Sequence, residues 1–284
     1  MTTSVSPYAF TAETFKRVQP EEYYRKILEQ DVRPDGRAFD ACRTTIVNAG
    51  CIGTAEGSAV VRIGDTTVVC GIKAEVAEPT LDQPQQGYFV PNVELGPLCS
   101  ARFRPGPPGD LAQLVSERLR SLLYVGSSKV VVLEDLCIEP EQAVWVIYAD
   151  LTCLNYDGNI LDACVLALSA ALKDTRIPRA SLDVDEGIVR ADEQATQPLT
   201  LRPFIFAATY GIYEGRLLLA DPNASEEPLM ASQVTVCLME DGQLAALWKS
   251  GGGLCSMEQV QQCIAQARKR YTELASLVSS SSSN

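Results

Sequence analysis

Apolar residues recur with two different periods along this chain. Short runs rich in Val, Ile, Thr and aromatic residues predict strands at Thr44–Asn48, Ser58–Ile63, Thr66–Ala74, Tyr88–Leu95, Val130–Leu136 and Ala143–Leu154. Gly64-Asp65, between the second and third of these, is a two-residue hairpin signal. Helical spacing appears elsewhere. Leu111, Leu114, Val115, Leu119 and Leu122 form an apolar stripe on a helix from Leu111 to Tyr124, with Asp110 as its cap. The turn Asp157-Gly158-Asn159 leads into a helix that ends near Lys173. Its Ala163, Ala167, Ala170 and Ala171 imply close packing against a sheet or a partner.

The second half follows the same recipe, with strands predicted at 181–189, 203–210, 215–220, 232–239 and 243–249. A last helix starts at a capping box, Ser256 with Gln259, and carries Val260, Ile264, Ala267, Tyr271 and Leu274 at helical spacing. Near the other end, Pro20 opens a short helix to about Gln30, and Arg33-Pro34-Asp35-Gly36 is a turn. Residues 77–87 read as a loop. Residues 104–109 (RPGPPG) cannot be regular structure, because proline removes backbone donors and glycine loosens the chain. The organisation expected is a flexible extension over 1–19, one domain over 20–190, a second over 191–278 and a disordered Ser-rich tail over 279–284.

Composition narrows the chemistry. The 284 residues are 46% hydrophobic, enough for a sizeable core, and carry a net charge of −12. That sign disfavours a free-standing nucleic-acid binder but leaves room for a local basic strip. There is no histidine, and none of the ten cysteines forms a CxxC pair, so a zinc site is not expected and no cofactor is assigned. Most cysteines sit in apolar runs and read as free buried thiols of a reducing compartment. With no signal pattern at its start and no apolar run near the roughly 20 residues a membrane helix needs, the chain is expected to be intracellular, soluble and without membrane contact. Asp183, Asp185 and Glu186 read as a solvated acidic face, and Lys249-Ser250-Gly251-Gly252-Gly253 lacks the order of a P-loop. Arg33-Pro34-Asp35-Gly36-Arg37 reads as a structural junction or as an active-site turn. Arg102 and Arg104 flank Phe103 on the proline-glycine loop; their plain reading is an interface ion pair or solvation.

Three motifs in order carry a family resemblance. They are Arg33-Pro34-Asp35-Gly36-Arg37, Ala55-Glu56-Gly57-Ser58-Ala59 and Gly64-Asp65-Thr66-Thr67-Val68. Together they resemble the N-terminal block of the RNase PH family. The stretches GYFVPNVELGPLCSARFRPGPPG, EDLCIEPEQAVWVIYADLTCLNYDGNILDA and LLLADPNASEE resemble the inert ring subunits of the eukaryotic RNA exosome. The resemblance implies an α+β, RNase PH-like fold: two ββαβα-type halves, similar to ribosomal-protein domain 2, with mixed sheets packed against helices.

The same resemblance implies lost chemistry. Active members hold phosphate with a Thr-Arg pair at a helix N-terminus. The matching positions here are Ile160, Leu161 and Asp162, two aliphatic chains and a carboxylate that would repel an anion. A downstream aspartate of active members aligns near Gln233, with Glu226 and Glu227 close by, and an Arg-Arg pair after the R-P-G-P loop is absent. No residue is therefore assigned a catalytic or metal-binding role. The resemblance implies a non-catalytic subunit of a hetero-hexameric ring with five other RNase PH-like subunits, RNA-binding cap proteins and a separate hydrolytic exoribonuclease. Single-stranded RNA would thread the pore for 3′-to-5′ processing and decay, ribosomal RNA included, in nucleus, nucleolus and cytoplasm, with Arg102 and Arg104 as candidates for contact with its phosphates and Arg118 and Arg120 as weaker ones. Two rivals stay open: an active phosphorolytic 3′-to-5′ exoribonuclease and a free-standing RNA-binding adaptor.

Overall fold

The structure, a computed structural model, describes residues 11–124, 130–183, 188–201 and 204–281. Two short helices come first, α1 (Ala12–Val18) and α2 (Pro20–Leu28). Thr11 caps α1 by accepting from the Thr14 N–H, so part of the extension expected as flexible is helical. The first sheet follows, from β1 (Thr45–Ala49), β2 (Gly57–Ile63), β3 (Thr66–Ala77) and β4 (Tyr88–Glu94). After α3 (Asp110–Tyr124) come β5 (Cys137–Glu139), β6 (Ala143–Asn155) and α4 (Ile160–Asp174). The hairpin β7 (Arg176–Asp183) and β8 (Ile188–Pro198) leads to a second sheet made of β9 (Ile205–Tyr213), β10 (Leu217–Ala220), β11 (Ser232–Met239) and β12 (Leu244–Ser250). Helix α5 (Met257–Ser281) closes the described chain.

Strand order in the first sheet is β1-β2-β3-β6-β4, with β5 also paired to β6; in the second it is β10-β9-β11-β12. The β4–β6 pair is parallel and the other described pairs are antiparallel, so the first sheet is mixed. The two-residue hairpin predicted at Gly64-Asp65 is present, with Ile63 facing Thr66. Gly64 adopts φ +58, and a Cβ there would lie 2.4 Å from Cδ of Arg43, so the turn must be glycine for that arginine to pass.

Helix α4 joins the layers. Every residue from Ile160 to Leu172 is buried, because the helix packs on β2 and β3 on one side and on β9 on the other. A helix that is apolar all round is a buried helix. Gly57 admits it: a Cβ there would lie 2.7 Å from the Ala171 carbonyl oxygen. The core is continuous across both sheets, with Ile205, Phe206, Ala207 and Cys237 in the same cluster as Ile72, Ile147 and Leu166.

Several expectations need correction. Val130–Leu136 is not one strand: Val131 makes a single bridge to Leu201, and Leu133–Leu136 coils into a 3-10 turn that buries Leu136. The strand predicted at 181–189 is instead two strands, β7 and β8, and the boundary expected at residue 190 falls inside β8. Leu114 is exposed rather than part of the buried stripe of α3, which uses Ala112, Val115, Leu119, Leu122 and Leu123. Helix α5 continues to Ser281, through the start of the segment expected as a disordered tail.

Candidate functional site

The turn Arg33-Pro34-Asp35-Gly36 closes with the Gly36 N–H donating to the Arg33 carbonyl at 2.9 Å. It drives Arg33 into the protein, where the side chain is 0% exposed. Its Nε donates to Glu226 Oε1 at 3.0 Å, Nη2 to Glu226 Oε2, and Nη1 to the Ala220 carbonyl at 2.6 Å. Arg37 donates to Asp35 Oδ2 at 2.7 Å and to the Asp221 carbonyl at 3.2 Å. Arg43, just before β1, grips Asp221 with both ends of its fork, at 2.9 Å from Nε and 2.8 Å from Nη2. It also donates to the Asp157 carbonyl at 2.6 Å. Three arginines of the first half thus clamp the Asp221–Glu226 loop of the second. The junction reading of this motif is the one realised, because a buried charge is tolerated only when paired and hydrogen-bonded.

The network continues inward. Asn159 Nδ2 donates to Asp221 Oδ1 at 2.7 Å and to Asp162 Oδ2 at 2.8 Å. Asp162 also accepts from the Thr209 N–H at 2.8 Å and from Thr209 Oγ1 at 2.7 Å, and Thr209 Oγ1 meets Thr235 Oγ1 at 2.9 Å. Asp162 therefore points into the interface between the halves, where its oxygens are engaged by Thr209 and Asn159. Burial, against the bonds from Thr209 and Asn159, pushes its carboxyl up to about 6. Burial opposes ionisation of Asp221 as well, but the Arg43 fork outweighs it and holds this carboxyl down at about 2.

The family resemblance puts a degenerate phosphate site at the start of α4. Gly158 (φ +77) and Asn159 (φ 52) turn the chain into the helix. Ile160 and Leu161 are buried at 3% and 6% exposure, so neither presents a donor to an anion. An internal carboxylate occupies this helix end: Glu227 Oε1 accepts from the Asn159 N–H at 2.8 Å, and Oε2 accepts from Tyr156 Oη at 2.6 Å. Burial and the adjacent Glu227 charge raise the Tyr156 phenol well above its ordinary pKa.

Beside it opens a cleft of about 760 Å³ between the end of β4 and the RPGPPG loop. Arg102 and Arg104 line it and are exposed. The Arg102 guanidinium lies 5.7 Å from the Tyr156 ring centroid, with Nη1 3.4 Å from Oη, and Phe103 packs edge-on against the same ring at 5.2 Å. Gln233 lies on β11, in register with Gly211 of β9 and Ser250 of β12. The structure thus brings Arg102, Tyr156, Ile160, Leu161 and Glu227 together and leaves Gln233 in the second sheet.

The other candidates have structural partners. Arg118 stacks 5.1 Å over Trp248, and Arg120 pairs with Glu117 at 2.8 Å. Lys249 bonds the Gly251 carbonyl at 3.0 Å, within the glycine-rich run. Asp183 faces Arg190 at 3.4 Å, whereas Asp185 and Glu186 lie outside the described residues. All ten cysteines are free thiols, six of them buried. The sequence offered Asn159 and Asp221 only as turn residues and did not single out Arg43 or Thr209. The available signal was the Asp-Pro turn, where Asp221 adopts φ 49, and an arginine placed just before an apolar strand.

Comparison with known proteins supplies the family. Residues 41–178 match the 3′ exoribonuclease family, domain 1, and residues 204–270 match domain 2 of the same family. The chain is 41% identical to the exosome complex component rrp43 of Schizosaccharomyces pombe over 267 residues, covering 94% of this chain and 98% of that one. It is 37% identical to the exosome complex component Rrp42 of Thermococcus gammatolerans, covering 89% and 91% of the two chains. Among solved structures, a chain of the Archaeoglobus fulgidus exosome with RNA bound to the active site superposes with a TM-score of 0.78 at 32% identity, covering 89% of this chain and 96% of that one. These matches, which span most of the chain, make it a member of the RNase PH (3′ exoribonuclease) family.

Proposed function

We propose that this chain is a non-catalytic structural subunit of an RNA exosome ring, supporting 3′-to-5′ RNA processing and decay carried out by a separate nuclease. The observation that carries the reading is the start of α4. Where the family fold offers a helix N-terminus for phosphate, this chain has two buried aliphatic residues and a backbone N–H already bonded to Glu227. The other ionisable groups around it, Asp157, Asp162, Asp221, Glu226 and Arg43, are engaged with one another or with Arg33, Asn159 and Thr209 and hold the two halves together. The names of the relatives, exosome components from a yeast and from archaea, support the assembly part of the reading.

In this role the chain supplies wall. Its partners are five other RNase PH-like subunits in a hetero-hexameric ring, RNA-binding cap proteins and a hydrolytic exoribonuclease. Single-stranded RNA passes the exposed Arg102 and Arg104 on the RPGPPG loop. The assembly works in nucleus, nucleolus and cytoplasm. The test is the native mass and composition of the tagged endogenous protein after gentle purification. One assembly with five further RNase PH-like chains is the expected result. A monomer or homo-oligomer that releases nucleoside diphosphates from RNA in phosphate would overturn the reading.

A further inference from the structure

The segment from Asp221 to Leu229 does more than receive the arginine clamp; it also covers the first turn of α4. A Cβ on Gly158 would lie 2.5 Å from the Asn223 carbonyl carbon and 2.6 Å from the Ala224 nitrogen, so the segment is pressed directly onto the turn that starts the helix. Its 3-10 turn, Glu227–Leu229, places the Glu227 carboxylate at the helix end. Both oxygens are used, one by the Asn159 N–H at 2.8 Å and the other by the Tyr156 hydroxyl at 2.6 Å. Tyr156 is in turn braced by Arg102, whose Nη1 lies 3.4 Å from the same hydroxyl. A 15-residue helix presents partial positive charge at this end, and a carboxylate there is the favoured occupant.

We infer that Glu227 is a built-in anion that plugs the α4 N-terminus and keeps phosphate-type oxyanions out. The inference rests on the non-catalytic reading and gives it a cause beyond the missing donors: the helix end is occupied by the chain itself. An incoming oxyanion must displace Glu227 from two hydrogen bonds and then face its charge. Neutralising or removing that carboxylate leaves the Asn159 N–H, the Tyr156 hydroxyl and the Arg102 guanidinium grouped around the opened position.

The experiment uses the full chain as wild type, Glu227→Ala and Glu227→Gln, with inorganic phosphate as the probe. Thermal midpoints are read in phosphate and in chloride at equal ionic strength, together with phosphorus NMR line widths. Comparing variants with wild type cancels the general effect of phosphate on apolar burial. The expected result is phosphate binding about tenfold tighter in Glu227→Ala than in wild type, the size of one favourable helix-end charge effect. A folded Glu227→Ala chain that responds to phosphate as wild type does overturns the inference, and so does a wild type that binds as tightly as the variant. Glu227→Gln keeps the side-chain size and an acceptor; if the alanine variant does not fold, a phosphate response in the glutamine variant supports the plug and its absence refutes it. Nucleoside diphosphate release from oligoadenylate is followed in the same samples. Release by wild type defeats the non-catalytic reading itself, whereas no release with unresponsive variants defeats only the plug.

Discussion

Two proline-glycine turns flanked by arginines meet opposite fates in this molecule. In Arg33-Pro34-Asp35-Gly36-Arg37, both guanidiniums are drawn inward and bonded to Glu226 or to the backbone and side chain of Asp221. In Arg102-Phe103-Arg104-Pro105-Gly106-Pro107, both arginines stay at the surface, one resting on an aromatic ring. Local composition does not separate the two. Proximity to carboxylates of the other half does: the first turn lies opposite the Asp221–Glu226 loop, and the second lies beside a cleft. An arginine surrounded by paired acids acts as a clamp, whereas an arginine on an open loop keeps its charge available to a polyanion.

The sharpest way to break this contrast is Arg33→Met. It leaves buried Glu226 with only Arg37, 3.8 Å away, as counter-charge and is expected to cost about 3–5 kcal/mol in chemical denaturation. Pairing it with Glu226→Leu should recover much of that loss. A single variant as stable as wild type would show that the clamp does not hold the halves together. A smaller effect is expected from Gly158→Ala, which puts a side chain at φ +77 and against the Asn223 backbone. A midpoint loss corresponding to about 1–3 kcal/mol is the expectation, and an unchanged midpoint would mean that the 221–229 segment does not press on α4.

Next in size is a pH effect. Asp162 has its folded pKa raised to about 6, so its contribution is fully present below about 4 and is lost as pH rises through 6. Asp221, held at about 2, contributes above about 4 and loses that contribution as pH falls through 2. Asp162→Asn, which can donate to Thr209 Oγ1 while Thr209 donates to Thr235, removes the first dependence. Its stability relative to wild type should rise between pH 5 and pH 8 by on the order of 1 kcal/mol. A flat difference across that range would show that Asp162 is not held near neutrality. Least affected in stability should be Arg102→Ala and Arg104→Ala, within about 0.5 kcal/mol of wild type. Their readout is RNA crosslinking to the assembled protein, expected to fall in a salt-dependent way. Unchanged crosslinking in the double variant would return both arginines to plain solvation.

Much of the fold was legible because its signals are local. The Gly64-Asp65 hairpin depends on two residues, and the Ser256/Gln259 box forms as expected, with both bonds present at 3.2 and 2.9 Å. The alanine-rich helix announced close packing, and α4 is buried on all sides. Elsewhere local signals misled. Val130–Leu136 has strand composition, but Glu134 and Asp135 favour a turn and the chain bends there. A single predicted strand at 181–189 hid a hairpin, because apolar content does not report where a chain reverses.

The site was illegible in how it is built. Ile160 and Leu161 carry no hydrogen-bond donor in any fold, since an aliphatic side chain has none, but that they matter rests on the family resemblance. Residue identities also determine the short-range elements, which depend on neighbours a few positions apart. The partners of each charge were decided only by the tertiary structure. Arg33 meets Glu226 across 193 residues of chain, Arg43 meets Asp221 across 178, and Glu227 reaches Asn159 across 68. Such pairings depend on where α4 sets one half against the other. Burial then decides the rest, turning Asp162 from an expected repeller of anions into an inward acceptor whose carboxyl is raised to about 6, because a low-dielectric interior disfavours the ionised form.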